Sequence, residues 1–239
     1  MCIRDRAAPG STSSTIALSP GGLLGTLPDA LVRNTFDHYA RDLEGRLRGD
    51  AWDAYTPYEW RNVGAFVRLG QREQALRAMA FFYRDRRPAG WNQWAEVVLR
   101  DAREPRFLGD MPHGWVASDH IRSVLDLFAY EHEGERALVL AAGVPMAWFD
   151  GPGLTLEALR TPYGPLSWKG RATTRGGRRA IEIDVGALRT QPPGGVVLRG
   201  PWPAAARVQV DGVPRAGDAG TIRLARTPAR VRIALPGLR

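Results

Sequence analysis

Cysteine is nearly absent: Cys2 is the only one in 239 residues. One thiol supports neither a disulfide framework nor a cysteine-ligated metal site. Lysine is as scarce. Of the 33 basic residues only Lys169 is a lysine, and the rest are arginine. That skew reads first as GC-rich coding. Long apolar runs are missing too. The longest, Ala137–Phe149, is interrupted by Pro145 and falls short of the ~20 residues that span a bilayer. No membrane partner is therefore expected. Neither GxGxxG nor GxxxxGK[ST] occurs, which leaves no phosphate-cradling loop. Ser118 lacks the strand–turn–helix setting of a nucleophile elbow. No cofactor is expected. What the chain does have is 44% hydrophobic and 24% charged residues, a balance that excludes wholesale disorder.

The first six residues read MCIRDR, which resembles a translated sequencing-adaptor scar and is set apart from fold reasoning. The chain is accordingly expected to lack the N-terminal part of its own protein. Residues 1–26 read as scar and loop, rich in Ser, Thr, Gly and Pro.

Helical signals follow. Thr26, Pro28 and Asp29 resemble a capped helix start, and Leu31, Thr35, Tyr39, Leu43 and Leu47 recur at helical steps up to Gly49. Thr56, Pro57 and Glu59 predict a second capped helix with Trp60, Val63 and Val67 inward. After Gly70 a third is expected, with Leu76, Met79, Ala80 and Tyr83 on one face, closed before Pro88. Trp91–Ala102 predicts a fourth through Trp94, Val97 and Val98. Met111–Glu131 predicts a fifth, with Ala117, Ile121, Val124, Leu125 and Phe128 as its core face.

After Gly134 the texture becomes short apolar segments between Gly- and Pro-rich turns. Strands are expected at 137–140, 154–159, 166–168, 180–185, 196–199, 207–210, 221–224 and 230–235. Helices followed by strands imply an α+β protein with segregated layers: a helical domain at 27–133 and an antiparallel β-sandwich at 134–239. Charge divides at the same place. Residues 134–239 carry 16 basic and 7 acidic residues, a net of +9, whereas residues 1–133 carry 17 and 18.

Aromatics gather between Trp52 and Trp115, which hold 12 of the 21. Several stand at helix starts beside polar groups, where they would line a common cleft. Sugars suit such a cleft, since their C–H faces lie on indole rings and their hydroxyls need polar groups at the rim. Trp52, Tyr58, Trp91, Trp94 and Trp115 are the candidate stacking residues. Glu59, Arg61, Asn92, His113 and Asp119 are candidates for binding hydroxyls. Glycosidic cleavage uses two carboxyl groups, and Asp53, Glu59, Glu96, Asp110 and Asp119 are near the aromatic helix starts. Glu96 is the candidate catalytic base. Each residue also has a plainer role: core filling for the aromatics, and capping or solvation for the acids. His113, Asp119 and His120 match no strong ligand spacing, so no metal is expected.

Two stretches carry a family resemblance. One runs Gly90-Trp91-Asn92-Gln93-Trp94-Ala95-Glu96 and on to Gly109-Asp110-Met111-Pro112-His113-Gly114-Trp115. The other runs from Gly143-Val144-Pro145 to Thr161-Pro162-Tyr163-Gly164-Pro165-Leu166. Together they resemble the C-terminal end of bacterial six-hairpin glycosidases, α-L-rhamnosidases above all, some relatives of which carry discoidin-type (coagulation factor 5/8 type C) domains. The resemblance implies the last hairpins of an (α/α)6 toroid followed by a β-sandwich. It also implies an oligo- or polysaccharide substrate, and a Trp-Glu pair supplying the general base. Here Ala95 separates Trp94 from Glu96. The general acid is expected on upstream hairpins. Two alternatives stand beside hydrolysis: a non-catalytic carbohydrate-binding or scaffold protein, and a polyanion binder acting through the basic β part. Arginines scattered along strands and turns, with few aromatics among them, argue against nucleic acid.

Overall fold

The computed structural model describes residues 13–101, 111–215 and 220–236. It is a mixed α+β chain of two compact units, Met1–Leu127 and Phe128–Arg239.

The first unit contains α1 (Ser13–Leu18), α2 (Asp29–Arg48), α3 (Trp60–Arg68), α4 (Arg72–Arg84) and α5 (Gly114–Phe128), with a short antiparallel pair of strands, β1 (Ala54–Tyr55) and β2 (Val98–Leu99). Thr26 does not cap α2; its hydroxyl donates to the Leu23 carbonyl, and Pro28 occupies the cap position. Gly49 ends α2 in the left-handed region at φ 92°, a conformation that glycine adopts without steric cost. Val32, Phe36, Tyr39, Ala40 and Leu43 form the buried stripe of α2, while Leu31 is exposed. Thr56 caps a 3-10 turn at Pro57–Glu59 that leads into α3. The side chain of Glu59 does not close a capping box, because it is bound elsewhere.

Two expectations fail in this unit. Residues 91–101 form no α-helix: a 3-10 turn at Ala89–Trp91 gives way to irregular chain and β2. The β-branched pair Val97-Val98 suits the path into β2, and Trp94 turns into the core. Second, the buried faces of two helices differ from the apolar stripes. On α4 they are Ala75, Ala78, Phe81 and Phe82. On α5 they are Val116, Asp119, Ser123, Asp126 and Leu127, and Ile121 is 57% exposed.

The polar face of α5 has a cause in α3. Arg61 Nε donates to Asp119 at 2.6 Å, and Arg68 donates to both oxygens of Asp126 at 3.2 Å. Both arginines and both aspartates are seven residues apart, two turns along one helix face. The pairs ascend together, so α3 and α5 run parallel. Between them Ser123 donates to the Trp60 carbonyl at 2.9 Å. Gly64 permits this approach, because a Cβ there would lie 2.8 Å from Asp126 Oδ2 and 3.4 Å from Ser123 Oγ. Gly64→Val is expected to cost about 1–3 kcal/mol by overpacking, despite valine's better helix propensity. Urea unfolding followed by the helical circular-dichroism signal measures it, and unchanged stability would mean that the α3–α5 contact tolerates the added bulk.

The second unit holds two sheets. Six strands lie in the order β10-β9-β12-β7-β6-β5 and four in the order β11-β8-β4-β3. The six are β5 (Leu154–Thr161), β6 (Gly164–Arg175), β7 (Arg178–Val185), β9 (Arg207–Val210), β10 (Val213–Arg215) and β12 (Ala229–Ala234). The four are β3 (Ala129–His132), β4 (Ala137–Leu140), β8 (Val196–Arg199) and β11 (Thr221–Leu224). Both sheets contribute to one apolar core, including Leu138, Leu198, Trp168, Ile181, Ile183 and Val231, a sandwich-like arrangement. The strand β3 comes from residues expected to prolong the last helix. The pairing is not wholly antiparallel, since β4 and β8 run parallel. Among the described residues no helix is long and apolar enough to cross a membrane.

Candidate functional site

Three segments of the helical unit converge at the start of α3. Thr56 Oγ1 donates to the Glu96 carbonyl at 2.7 Å and accepts from Tyr58 N at 3.3 Å. The backbone N–H of His113 donates to the Trp94 carbonyl at 3.2 Å. These bonds bring residues 56–58, 94–96 and 113–115 together.

At the meeting point Tyr58 and His113 share a hydrogen bond of 2.8 Å between the phenol and Nε2. Their rings meet edge to face at 5.3 Å. Trp115 completes the cluster, 6.4 Å from Tyr58 and 5.9 Å from His113 between ring centroids. Trp115 is 72% exposed. The Arg61 guanidinium sits 4.6 Å from the Tyr58 centroid, a cation–π contact of about 0.5–2 kcal/mol. The same guanidinium is fixed by Asp119. Burial raises the Asp119 carboxyl above the ordinary aspartate range, against the opposing pull of Arg61 and Arg122. An exposed aromatic plane thus stands beside an imidazole, a phenol and a held ion pair.

The remaining candidates are placed differently. Glu59 is buried and belongs to the frame: Arg46 donates to its two oxygens at 2.6 and 3.0 Å, and the Tyr39 phenol donates at 2.7 Å. Burial, then the Glu59 charge, pushes the Tyr39 phenol well above its usual range, so it remains a donor. Trp94 is buried against Trp60 and His120, and its indole N–H donates to the Phe82 carbonyl at 3.0 Å. A buried indole offers no sugar platform. Trp52 is half-buried, edge-on to Tyr55 at 5.7 Å. Trp91 is 60% exposed on the 3-10 turn Ala89–Trp91, outside the ring contacts of the Tyr58 cluster. Asn92, in the left-handed region, accepts from Arg86. Glu96 is half-buried, and Asp53 is exposed. Asp110 lies outside the described residues.

The sequence does not pair Tyr83 with His120. His120 bonds the Tyr83 phenol at 2.8 Å and packs on Trp60 at 4.7 Å. Burial, then Arg86, lowers the His120 pKa. Tyr83 and His120 are 37 residues apart, and neither belongs to a recognisable motif. Their only cue is that His113 and His120 are two turns apart, each facing a tyrosine. Among the described residues no group of three or more His, Cys, Asp or Glu is placed to hold a metal ion.

No protein-family model matches the chain, and a search of curated proteins finds no match.

Proposed function

We propose that the helical unit recognises carbohydrate on the exposed face of Trp115, as part of a glycoside hydrolase-like protein resembling the six-hairpin glycosidases. The observation that carries it is the Tyr58–His113–Trp115 cluster beside Arg61 and Asp119. The indole supplies a flat apolar surface for sugar C–H groups. Tyr58, His113 and Arg61 are amphipathic neighbours suited to hydroxyls. The α3–α4 pair and α5 would then be hairpin elements of an (α/α)6 arrangement. Glu96, brought near this cluster through its backbone bond to Thr56, is the candidate base for activating water. Trp94 and Glu59 act as its structural support.

Titration calorimetry against a panel of neutral oligosaccharides tests this. Trp115→Ala is expected to weaken binding about tenfold, which is about 1.4 kcal/mol. Trp148→Ala, on a half-exposed indole in the β unit, is expected to leave binding unchanged. Where hydrolysis is measurable, Glu96→Gln should reduce it about 10²–10⁴-fold without weakening binding. Equal affinity of the Trp115→Ala variant and the unmodified chain would remove the reading.

A further inference from the structure

The outer face of the six-stranded sheet bears two rows of charge. In the first, Lys169 on β6 pairs across to Asp184 on β7, which pairs across to Arg230 on β12. In the second, Arg171, Glu182 and Arg232 repeat the order on the same strands, followed by Gln209 on β9. Each row is cation, anion, cation. Cations in a row stand two strand spacings apart, about 10 Å, and the rows are about 7 Å apart along the strands.

These ion pairs are loose. Lys169–Asp184 and Arg230–Asp184 lie at 3.5 Å, and Arg171–Glu182 lies at 4.0 Å. The Arg61–Asp119 pair of the helical unit, by contrast, closes to 2.6 Å. Exposure is also stratified. Three of the four cation side chains are 64–86% exposed, at Arg171 64%, Lys169 67% and Arg230 86%, while Arg232 is half-buried. The carboxylates are lower, at 46% for Asp184 and 30% for Glu182. Positive tips therefore stand over an acidic floor.

Two concavities of about 790 and 640 Å³ lie on this face and share Thr155, Lys169, Asp184 and Arg230 in their linings. At one side the edge strand β5 breaks register between Leu156 and Leu159. Ala158 there takes a φ of 51°, and its N–H is held by Ser167 Oγ at 2.9 Å. Such a bulge bends an edge strand and re-aims its side chains. A non-glycine residue in that conformation persists only where its surroundings hold it. Glu157, within the bulge, and Asp211 line the larger concavity together with Asp184.

We propose that this face is a binding groove for an acidic polysaccharide whose sugars carry both carboxylates and hydroxyls, a polyuronate. The raised Lys169, Arg171 and Arg230 meet the ligand carboxylates. Asp184 and Glu182 on the floor accept from its hydroxyls, which a purely anionic polymer does not offer. A DNA backbone has no hydroxyls to donate to that floor, and the rows carry no aromatic residue on which a base could stack. The groove lies wholly within the β unit and stands independently of the sugar patch on Trp115.

The test is calorimetry of the whole chain with polygalacturonate fragments, dextran and duplex DNA over a salt series. Polygalacturonate is expected to bind most tightly, with a salt-dependent affinity. The double variant Lys169→Ala, Arg230→Ala is expected to weaken it at least tenfold while keeping an unchanged circular-dichroism spectrum. Asp184→Asn separates hydroxyl recognition from simple attraction: a weakened uronate complex supports the groove. Tightening toward uronate and DNA alike overturns it, as does DNA binding as tightly as uronate. Trp115→Ala is expected to leave uronate affinity unchanged; a loss there would move the uronate to the helical unit and overturn the proposal.

Discussion

Glu59→Ala is expected to lower the stability of the helical unit by about 3–5 kcal/mol, the cost of stranding one partner of a buried ion pair. Arg46 has only 12% of its side chain exposed, and its guanidinium is committed to both Glu59 oxygens. Its face also lies 5.1 Å from the Tyr55 ring centroid. Removing the carboxylate leaves that charge without its counterion, and takes the acceptor from the Tyr39 phenol as well. The companion variant decides the cause. Arg46→Met together with Glu59→Ala removes both charges, and its loss should be smaller than that of Glu59→Ala alone. Urea unfolding read by the helical circular-dichroism signal measures both. If the double variant is the less stable of the two, packing rather than an orphaned charge holds this corner.

Trp60→Ala is the second large effect, about 3–5 kcal/mol. Trp60 is fully buried, with Phe82, Tyr83, Trp94 and His120 around it at ring-centroid distances of 4.7–5.2 Å. A close-packed core relaxes only partially around a missing indole. Its Nε1 has no hydrogen-bond partner among the described residues, whereas Trp94 Nε1 donates to Phe82. Phe82 lies in the last turn of α4, where helix carbonyls lack intrahelical donors. Trp60→Phe should therefore be milder than Trp94→Phe, because only the latter breaks a bond. Thermal unfolding of the two variants ranks them; the reverse order would show that indole volume outweighs the N–H.

The strands that were legible in the sequence share one property: their hydrophobic pattern and their burial agree. Strands β4, β8, β9 and β11 fall on the expected residues, and α2 ends where Gly49 allows it. Helix α5 shows why the rest was hidden. Its buried face is Asp119, Ser123 and Asp126, so apolar periodicity selects Ile121, which faces solvent. The available clue lay in two distant places at once, in the matched spacing of Arg61 with Arg68 and of Asp119 with Asp126. Residues 91–101 mislead for a related reason, since their apolar positions suit either a helix or an extended path. Around the candidate site, the helix-start pattern points to Tyr58, Arg61, His113, Trp115 and Asp119, which the fold gathers. An aromatic beside a polar residue looks the same in a cleft and in a core, and Trp94 belongs to the core. Glu59 resembles a capping-box partner by spacing alone; Arg46, which claims it, is on another helix.

The parallel run of α3 and α5 also joins segments far apart in the chain. Helices α3 and α4 meet across Gly70-Gln71 and can associate as soon as both exist. Docking α5 instead closes a span of 58 residues, and the entropy of that closure must be met before any of its contacts form. Sliding α5 by one turn would carry both aspartates past their arginines at once. The two bridges therefore fix a single register of α5 against α3.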